Sequence, residues 1–443
     1  MKKTLLVILL IISFILAGSV SAIGEEDFFE LVKTGTPDEV KKAIDAGADV
    51  NAQTTKEIEG FREVEGVTPL IMAARYNQNP EVIKVLLGAG ANVNTRDANG
   101  FTPLMHAAEN NQNPEVIKVL IDAGADVNVQ TEDGYTPLMR AAILNQNPEI
   151  IKVLLEAGAD LNVRGKHGLT PLMWAAGGNQ NPEVIKLLLD AGADVNVQNK
   201  DSMTPLMFAA QCNQNPEIIR ILVDAGTDIN ARSKNGMIPL MYAAKDNQNP
   251  EVIKALLDAG ADVNARDKDG VTPLMWAAAF NQNPEVIKVL LDAGADVNAR
   301  TTKKIEDFGN AEGVTPLMLA AQYNQNPEVI KVLLGAGADV NARDKILGFT
   351  PLVLAAGWNQ NPEVIKLLLD AGADVNARDK DGLTPLMWAA LLNQNPEVIR
   401  ILLDAGADGK AKSNASKTAF DYARENEDIK DTEVYWLLND AQY

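Results

Sequence analysis

The sequence contains few of the residues on which enzyme active sites and metal centres depend. Among its 443 residues are only two histidines, His106 and His167, and one cysteine, Cys212. Nucleophilic catalysis by serine or cysteine needs a histidine close to the nucleophile, and zinc sites need clustered His or Cys ligands. The two histidines stand far apart, and neither has a cysteine nearby. The sequence therefore predicts a protein that is not an enzyme and binds no metal or cofactor, with a hydrolase kept as a remote alternative.

Clusters of basic residues are missing as well. The chain has 60 acidic and 40 basic residues, which gives a formal charge of −20 at pH 7. Nucleic-acid affinity rests mainly on phosphate contacts from clustered Lys and Arg, so a diffusely acidic chain is a poor nucleic-acid binder. The balance of charge favours a protein partner that is neutral or basic.

A lone cysteine excludes an internal disulfide. Stability must therefore come from packing, even in an oxidising compartment. The sequence leaves open whether Cys212 has any role.

The chain has no apolar run long enough to span a membrane, which takes about 20 residues. Its start instead has the pattern of a signal peptide. Lys2 and Lys3 are followed by 13 mostly apolar residues from Leu5 to Ala17 and by the small-residue site Val20-Ser21-Ala22. We expect cleavage after Ala22, a periplasmic or secreted protein, and no stable membrane insertion of the mature chain. An uncleaved anchor is the alternative.

The aspartate-rich turns Asp267 to Gly270 and Asp379 to Gly382 have the spacing of part of a calcium loop. Such a loop also needs an oxygen ligand at position 1 and Glu at position 12. Aligning Asp267 and Asp269 at positions 3 and 5 places Ala265 at position 1 and Trp276 at position 12. The segments are therefore interpreted as turns.

One motif is repeated along the chain at a spacing of 34 residues, with one step of 43 and one of 35. Repeats of this length indicate stacked units that cannot fold alone. The tripeptide Thr-Pro-Leu, or Ile-Pro-Leu at 238, begins at Thr68, Thr102, Thr136, Thr170, Thr204, Ile238, Thr272, Thr315, Thr350 and Thr384.

The unit at residues 271–300 predicts two helices and a turn. Thr272 with Pro273 is typical of a helix start, and so is Asn283 with Pro284 after the short loop that begins at Asn281. Gly294 suits the left-handed position that ends the second helix. A polar stretch then leads to a turn before the next Thr-Pro-Leu.

These units resemble the ankyrin repeat, whose pattern is Thr-Pro-Leu-His-x-Ala-Ala followed by Gly-Ala-Asp-Val-Asn. The resemblance implies a mainly α fold, a solenoid of stacked helix-turn-helix units joined by short β-hairpin loops. Two features depart from the family. A hydrophobic residue, usually Met, replaces the histidine (Met105, Met139, Met173), and the inter-helix loop is one residue longer, reading Asn-Gln-Asn-Pro-Glu in all ten copies. We therefore expect this loop to be braced in another way.

The domain organisation follows from the repeat. Residues 1–22 are the predicted signal peptide and residues 23–443 a single array. The array comprises an N-terminal cap at 25–66, ten full repeats at 67–416, and a C-terminal cap at 417–443 whose last helix pair is more polar than the repeats.

Positions that vary between repeats are free to carry binding specificity. The residue before Ala-Ala varies most, and two further variable positions follow three and four residues later on the same helical face. In ankyrin proteins this face typically lines the concave groove. The candidate partner-binding residues are Trp174, Phe208, Tyr242, Trp276, Phe280, Tyr323, Trp358, Trp388, Leu391 and Leu392. The alternative interpretation is that the residue before Ala-Ala packs as core between neighbouring first helices.

A row of arginines at the hairpins is a secondary candidate. It comprises Arg232, Arg266, Arg300, Arg343 and Arg378. Such residues usually form weak surface pairs with neighbouring acids, and the alternative is a contact row for acidic groups of a partner. The two long hairpins, 54–66 and 301–313, resemble each other, and the sequence leaves open whether they bind anything.

The sequence thus predicts a non-catalytic scaffold, a monomer, that holds a partner protein along its groove. A secreted effector that acts on proteins of another cell is the alternative within the same class.

Overall fold

The computed structural model describes residues 24–54, 65–304, 312–430 and 432–443. The predicted signal peptide and most of both long hairpins lie outside the described residues, so those expectations remain predictions. Contacts divide the chain into two compact units, Met1–Asp194 and Val195–Tyr443. The repeat spacing of the sequence continues through this boundary.

The described residues of the N-terminal unit form ten helices in five pairs. They are α1 (Glu25–Thr34), α2 (Pro37–Asp45), α3 (Pro69–Tyr76), α4 (Pro80–Gly88), α5 (Pro103–Asn110), α6 (Pro114–Asp122), α7 (Pro137–Leu144), α8 (Pro148–Glu156), α9 (Pro171–Gly178) and α10 (Pro182–Asp190).

The C-terminal unit continues the alternation of a short first helix and a slightly longer second helix. Its described helices are α11 (Pro205–Cys212), α12 (Pro216–Asp224), α13 (Pro239–Asp246), α14 (Pro250–Asp258), α15 (Pro273–Phe280), α16 (Pro284–Asp292), α17 (Pro316–Tyr323), α18 (Pro327–Gly335), α19 (Pro351–Trp358), α20 (Pro362–Asp370), α21 (Pro385–Leu392), α22 (Pro396–Asp404), α23 (Ala419–Ala423) and α24 (Glu433–Ala441). No described residue lies in a β-strand, so the connections between repeats that the structure describes in full are turns without paired strands.

The predicted helix starts are confirmed. Thr272 Oγ1 accepts a hydrogen bond from Met275 N at 3.3 Å, and Asn283 Oδ1 accepts one from Glu285 N at 3.0 Å. Both caps satisfy backbone N–H groups that the first helical turn leaves without partners. Gly294 has the predicted left-handed conformation, with φ of 89°. Ile238, which replaces the capping threonine, makes no side-chain cap.

Within each unit, first helices pack against the first helices of neighbouring repeats, and second helices do the same. The Ala-Ala pair, for example Ala277 and Ala278, is fully buried between them. On the second helix, Val286, Ile287 and Leu290 are fully buried, and their spacing places them on one face of that helix.

An asparagine ladder braces the inter-helix loops. Asn281 Nδ2 donates to Ala244 O at 3.0 Å and to Asn247 O at 2.8 Å, both in the preceding repeat, and Asn281 Oδ1 accepts from Asn283 N. The side chain thus satisfies three backbone groups at a fully buried position. Equivalent amides in the N-terminal unit belong to Asn111 and Asn145, and in the C-terminal unit to Asn247, Asn324, Asn359 and Asn393.

The C-terminal cap exposes apolar side chains beside its polar ones. Thr36 and Glu39 form a capping box at the N-terminal cap, where the sequence places a helix start. At the other end, Trp436 on α24 is 55% exposed, Leu437 is partly exposed, and Tyr422 is buried with its hydroxyl 3.0 Å from Ser413 Oγ. The last helix therefore presents apolar as well as polar side chains. An open hollow of about 470 Å³ lies beside it.

Candidate partner-binding surface

The residue before Ala-Ala has no single environment. Met72, His106, Leu319 and Leu354 are buried at this position, which fits the core interpretation. Six others are half-buried and present part of their side chain to solvent: Arg140, Trp174, Phe208, Tyr242, Trp276 and Trp388. The position serves both packing and surface, depending on the repeat.

The last residue of the first helix is the more exposed of the variable positions. Among the described residues, only six large hydrophobic side chains are exposed, and three of them occupy this position. They are Leu144 at 49%, Phe280 at 38% and Leu392 at 42%. A buried core does not account for large apolar groups that return to the same open position.

In the C-terminal unit, aromatic residues at the variable helix positions contact one another. Trp276 stacks on Phe280 with 5.8 Å between ring centroids, and Phe280 lies 6.0 Å from Tyr323. Further along the chain, Trp358 lies 5.2 Å from Trp388. The rings of Trp276, Tyr323, Trp358 and Trp388 are partly buried and pack against a single buried cluster. We call the surface formed by Trp276, Phe280, Tyr323, Trp358, Trp388 and Leu392 the aromatic face.

Phe349 connects the aromatic face to the turn that precedes α19. Its ring lies 6.0 Å from Trp358 and 5.2 Å from Trp388, although the residue itself is buried. Phe349, Phe101 and Tyr135 lie outside the helices and are not among the residues predicted from variable helix positions. The signal that could have found them is an aromatic residue directly before Thr-Pro-Leu.

Hydrogen bonds to the preceding turn fix the orientation of two tryptophans. Trp276 Nε1 donates to Asp267 Oδ2 at 3.2 Å, and Trp388 Nε1 donates to Asp379 Oδ2 at 2.9 Å. Burial raises the pKa of Asp267, against the hydrogen bonds from Val271 N, Asp269 N and Trp276 that lower it. Each indole N–H therefore points at the turn that precedes its helix.

Charged groups border the aromatic face on α13. Lys245 Nζ lies 5.2 Å from the ring centroid of Trp276 and 5.5 Å from that of Phe280, within cation–π range. Next to it, Asp246 accepts a hydrogen bond from Gln211 at 2.8 Å.

Burial, and secondarily Asp246, raises the pKa of the Cys212 thiol. An activated cysteine nucleophile needs a lowered pKa, so this shift is in the opposite direction.

The equivalent surface of the N-terminal unit is more polar. Arg140 Nε donates to Glu109 at 2.7 Å, and its guanidinium lies over the rings of Phe101 at 5.0 Å and Tyr135 at 5.5 Å. Trp174 lies 5.5 Å from Tyr135. His106 is buried and bonded to Asp97 at 2.8 Å, which makes it part of the packing.

The hairpin arginines bond to backbone carbonyls. Arg266 Nη1 donates to Gly270 O of its own turn at 2.8 Å and to Arg300 O of the next repeat at 2.7 Å. Equivalent bonds to the next repeat come from Arg232, Arg300, Arg343 and Arg378. Within the described part of the chain none of these five forms an ion pair with a carboxylate, so the expected pairing with neighbouring acids is replaced by a link between repeats.

The described residues contain no group of three His, Cys, Asp or Glu side chains that could hold a metal ion. None of the helices they form is long and apolar enough to cross a membrane.

Comparison with known families agrees with the repeat geometry. The family described as ankyrin repeats (3 copies) matches the chain in overlapping segments from residue 28 to residue 438: 28–131, 113–199, 138–233, 172–267, 206–301, 240–344, 301–379, 317–413 and 352–438. None of the curated proteins compared with the chain matches it. Since the matches cover well over half of the chain and the helix pairs pack as ankyrin repeats do, the chain belongs to the ankyrin repeat family.

Proposed function

We propose that the chain is a scaffold that holds a partner protein against the aromatic face of its C-terminal unit. Ankyrin repeats are generally modules for protein–protein interaction, and the family is typically non-catalytic. The observation that carries the proposal is the exposure of Phe280 and Leu392 at the same helix position, beside half-buried tryptophans. Large exposed apolar groups in one patch are characteristic of interaction sites.

Photo-crosslinking tests where the partner binds. A benzoylphenylalanine placed at Phe280 should form a covalent adduct with the partner in cells that produce the protein. The same probe at Lys288, which is exposed on the second helix of that repeat, is the matched control and should give no adduct. Adducts at Lys288 alone would place the partner on the second helices and contradict the proposal.

The proposed location is outside the cytoplasm, in the periplasm or beyond the cell, and it rests on residues 1–22 of the sequence. An effector that acts on proteins of another cell would share the same binding surface. The intact mass of the exported protein tests the location, because cleavage after Ala22 leaves a chain that begins at Ile23. A mass that retains residues 1–22 would indicate a membrane anchor instead.

A further inference from the structure

The first helices that contribute the aromatic face contain no charged residue. In the C-terminal unit, α13 contains Lys245 and Asp246, but the four first helices that follow contain no Asp, Glu, Lys or Arg. They are α15, α17, α19 and α21, with the sequences PLMWAAAF, PLMLAAQY, PLVLAAGW and PLMWAALL. In a chain with 23% charged residues, this makes a long uncharged surface.

Three aspartates on the adjoining turns accept hydrogen bonds from other groups of this chain. Asp267 and Asp379 each accept the indole N–H of a tryptophan as well as backbone N–H groups of their own turns. Asp344 accepts hydrogen bonds from the backbone of residues 346, 347 and 349. These three carboxylates accept hydrogen bonds from donors of this chain. The charged residues around the face stand on the turns, as Lys268, Asp269, Lys380 and Asp381 do, and on α13, as Lys245 and Asp246 do, and not on the four first helices.

One turn next to the face is itself apolar. Where two other repeats of this unit have Asp269-Gly270 and Asp381-Gly382, the lengthened turn has Ile346 and Leu347 before Gly348. Leu347 packs against the same buried cluster as Trp358 and Trp388. The apolar surface therefore continues from the first helices onto this turn.

Charge matching decides what such a surface can hold. A charged side chain of a partner would lose water here without meeting an opposite charge, and an unpaired buried charge is strongly unfavourable. Aliphatic and aromatic side chains have no such cost, and burying their apolar surface away from water favours binding.

The number of uncharged first helices determines the length of the partner segment that can lie along them. Packed helices lie about 8–10 Å apart, so the three steps from α15 to α21 cover roughly 24–30 Å. An extended chain rises about 3.3 Å per residue, which corresponds to about eight residues.

From these observations we infer that the aromatic face binds an uncharged segment of its partner, about eight residues long and rich in aliphatic or aromatic side chains. This inference rests on the proposed function and specifies the chemistry of the bound segment.

Fluorescence anisotropy with synthetic peptides tests the inference on the full chain. One labelled peptide of 12 residues alternates Leu and Phe with Ser and Gln. Two others carry Glu or Lys at two central apolar positions. The neutral peptide should bind at least tenfold more tightly than either charged one, and added salt should change its affinity less than twofold. Equal affinity for a charged peptide, or failure of the neutral peptide to bind, would overturn the inference.

A pair of variants tests whether the peptide binds at the aromatic face. Leu392→Glu puts a charge on the aromatic face and should weaken binding of the neutral peptide at least tenfold. Leu144→Glu makes the same change at the same helix position of the N-terminal unit and should leave that affinity unchanged. Equal losses in both variants would contradict the assignment to the aromatic face.

The photo-crosslinking experiment at Phe280 with the native partner tests the proposed function separately from this inference. If the crosslinked segment of that partner is charged, the inference about its chemistry fails and the scaffold function stands. If the partner crosslinks only elsewhere, both fail.

Discussion

Trp388 Nε1 donates a hydrogen bond to Asp379 Oδ2 over 2.9 Å, and the two residues lie nine positions apart in one repeat. The same two positions are joined in His106–Asp97, Trp276–Asp267 and Tyr422–Ser413. In each case a ring on a first helix is hydrogen-bonded to the side chain nine residues earlier, on the preceding turn. This bond couples the binding surface to the scaffold of its own repeat.

Replacing Trp388 by Phe should therefore destabilise the fold. The buried carboxylate of Asp379 then loses the hydrogen bond from the indole N–H. We expect this loss to lower the free energy of unfolding by about 1–2 kcal/mol. Urea denaturation measures the change. Trp358→Phe is the control, because it removes the same ring atoms beside the same buried cluster but breaks no such bond within the described residues, and it should lower stability less than Trp388→Phe does. Equal effects would show that the hydrogen bond contributes nothing.

The titration of Asp267 should depend on Trp276. Burial raises the pKa of Asp267 above the ordinary value of 3.8, while the indole hydrogen bond lowers it. Trp276→Phe should raise that pKa further, which NMR titration of the carboxyl group would detect. A lower pKa in the variant would contradict this account.

The raised pKa also has a consequence for stability. A raised folded-state pKa means that the stabilising contribution is complete below the unfolded pKa and is lost as pH rises through the folded pKa. We compare wild type with Asp267→Ser, the residue that Ser233 provides in another repeat. The stability of wild type relative to the variant should fall as pH rises from about 3.8 through the folded pKa of Asp267. A relative stability that rises over this range would be inconsistent with a raised pKa.

Loss of one amide from the asparagine ladder should weaken the contact between two repeats. Asn281→Ala leaves the buried carbonyls of Ala244 and Asn247 without this donor, at a cost of about 2–3 kcal/mol. Gln282→Ala, at the exposed neighbouring position, should cost less than about 0.5 kcal/mol. Hydrogen exchange should show faster exchange in the repeats that contain Asn247 and Asn281. Uniform loss of protection along the chain would contradict nearest-neighbour coupling.

The arginine row should affect stability rather than binding. Arg266→Met removes two bonds to backbone carbonyls at an exposed edge, and we expect a loss of about 1 kcal/mol. The affinity for the partner should not change, which a binding measurement on the purified complex would show. Lower affinity with unchanged stability would favour the alternative that the row contacts acidic groups of the partner.

Much of the fold could be predicted because local rules specify it. Thr-Pro and Asn-Pro mark the helix starts, glycine marks the helix ends, and the Ala-Ala pair marks the closest packing, as at Thr272, Asn283, Gly294 and Ala277. Each of these effects depends on a few neighbouring residues. A repeated unit then applies the same local result along the whole array.

Contacts between repeats could not be predicted in the same way. The missing histidine of the family pattern indicated that the loop is braced in another way, but not by which residue. The acceptors of Asn281, Ala244 and Asn247, lie one repeat away and are brought close only by stacking. For the same reason the carbonyl that binds Arg266 was not foreseen.

The candidate surface was predicted in part. Trp358 and Tyr323 are among the candidate binding residues, and both also pack against the buried cluster, so truncating either to Ala should reduce stability as well as binding. Phe280 and Leu392 are more exposed and give a cleaner separation of binding from folding.

The affinity of the native partner for Phe280→Ser, measured by titration calorimetry, tests the central claim most directly. Truncation of an exposed aromatic contact within an interface commonly costs about 2 kcal/mol, so we predict at least a tenfold weaker complex with thermal stability almost unchanged. Trp436→Ser, on the exposed patch of the C-terminal cap, is the control and should bind as wild type does. Unchanged affinity of Phe280→Ser together with lost affinity of Trp436→Ser would contradict the account and place the partner on the C-terminal cap.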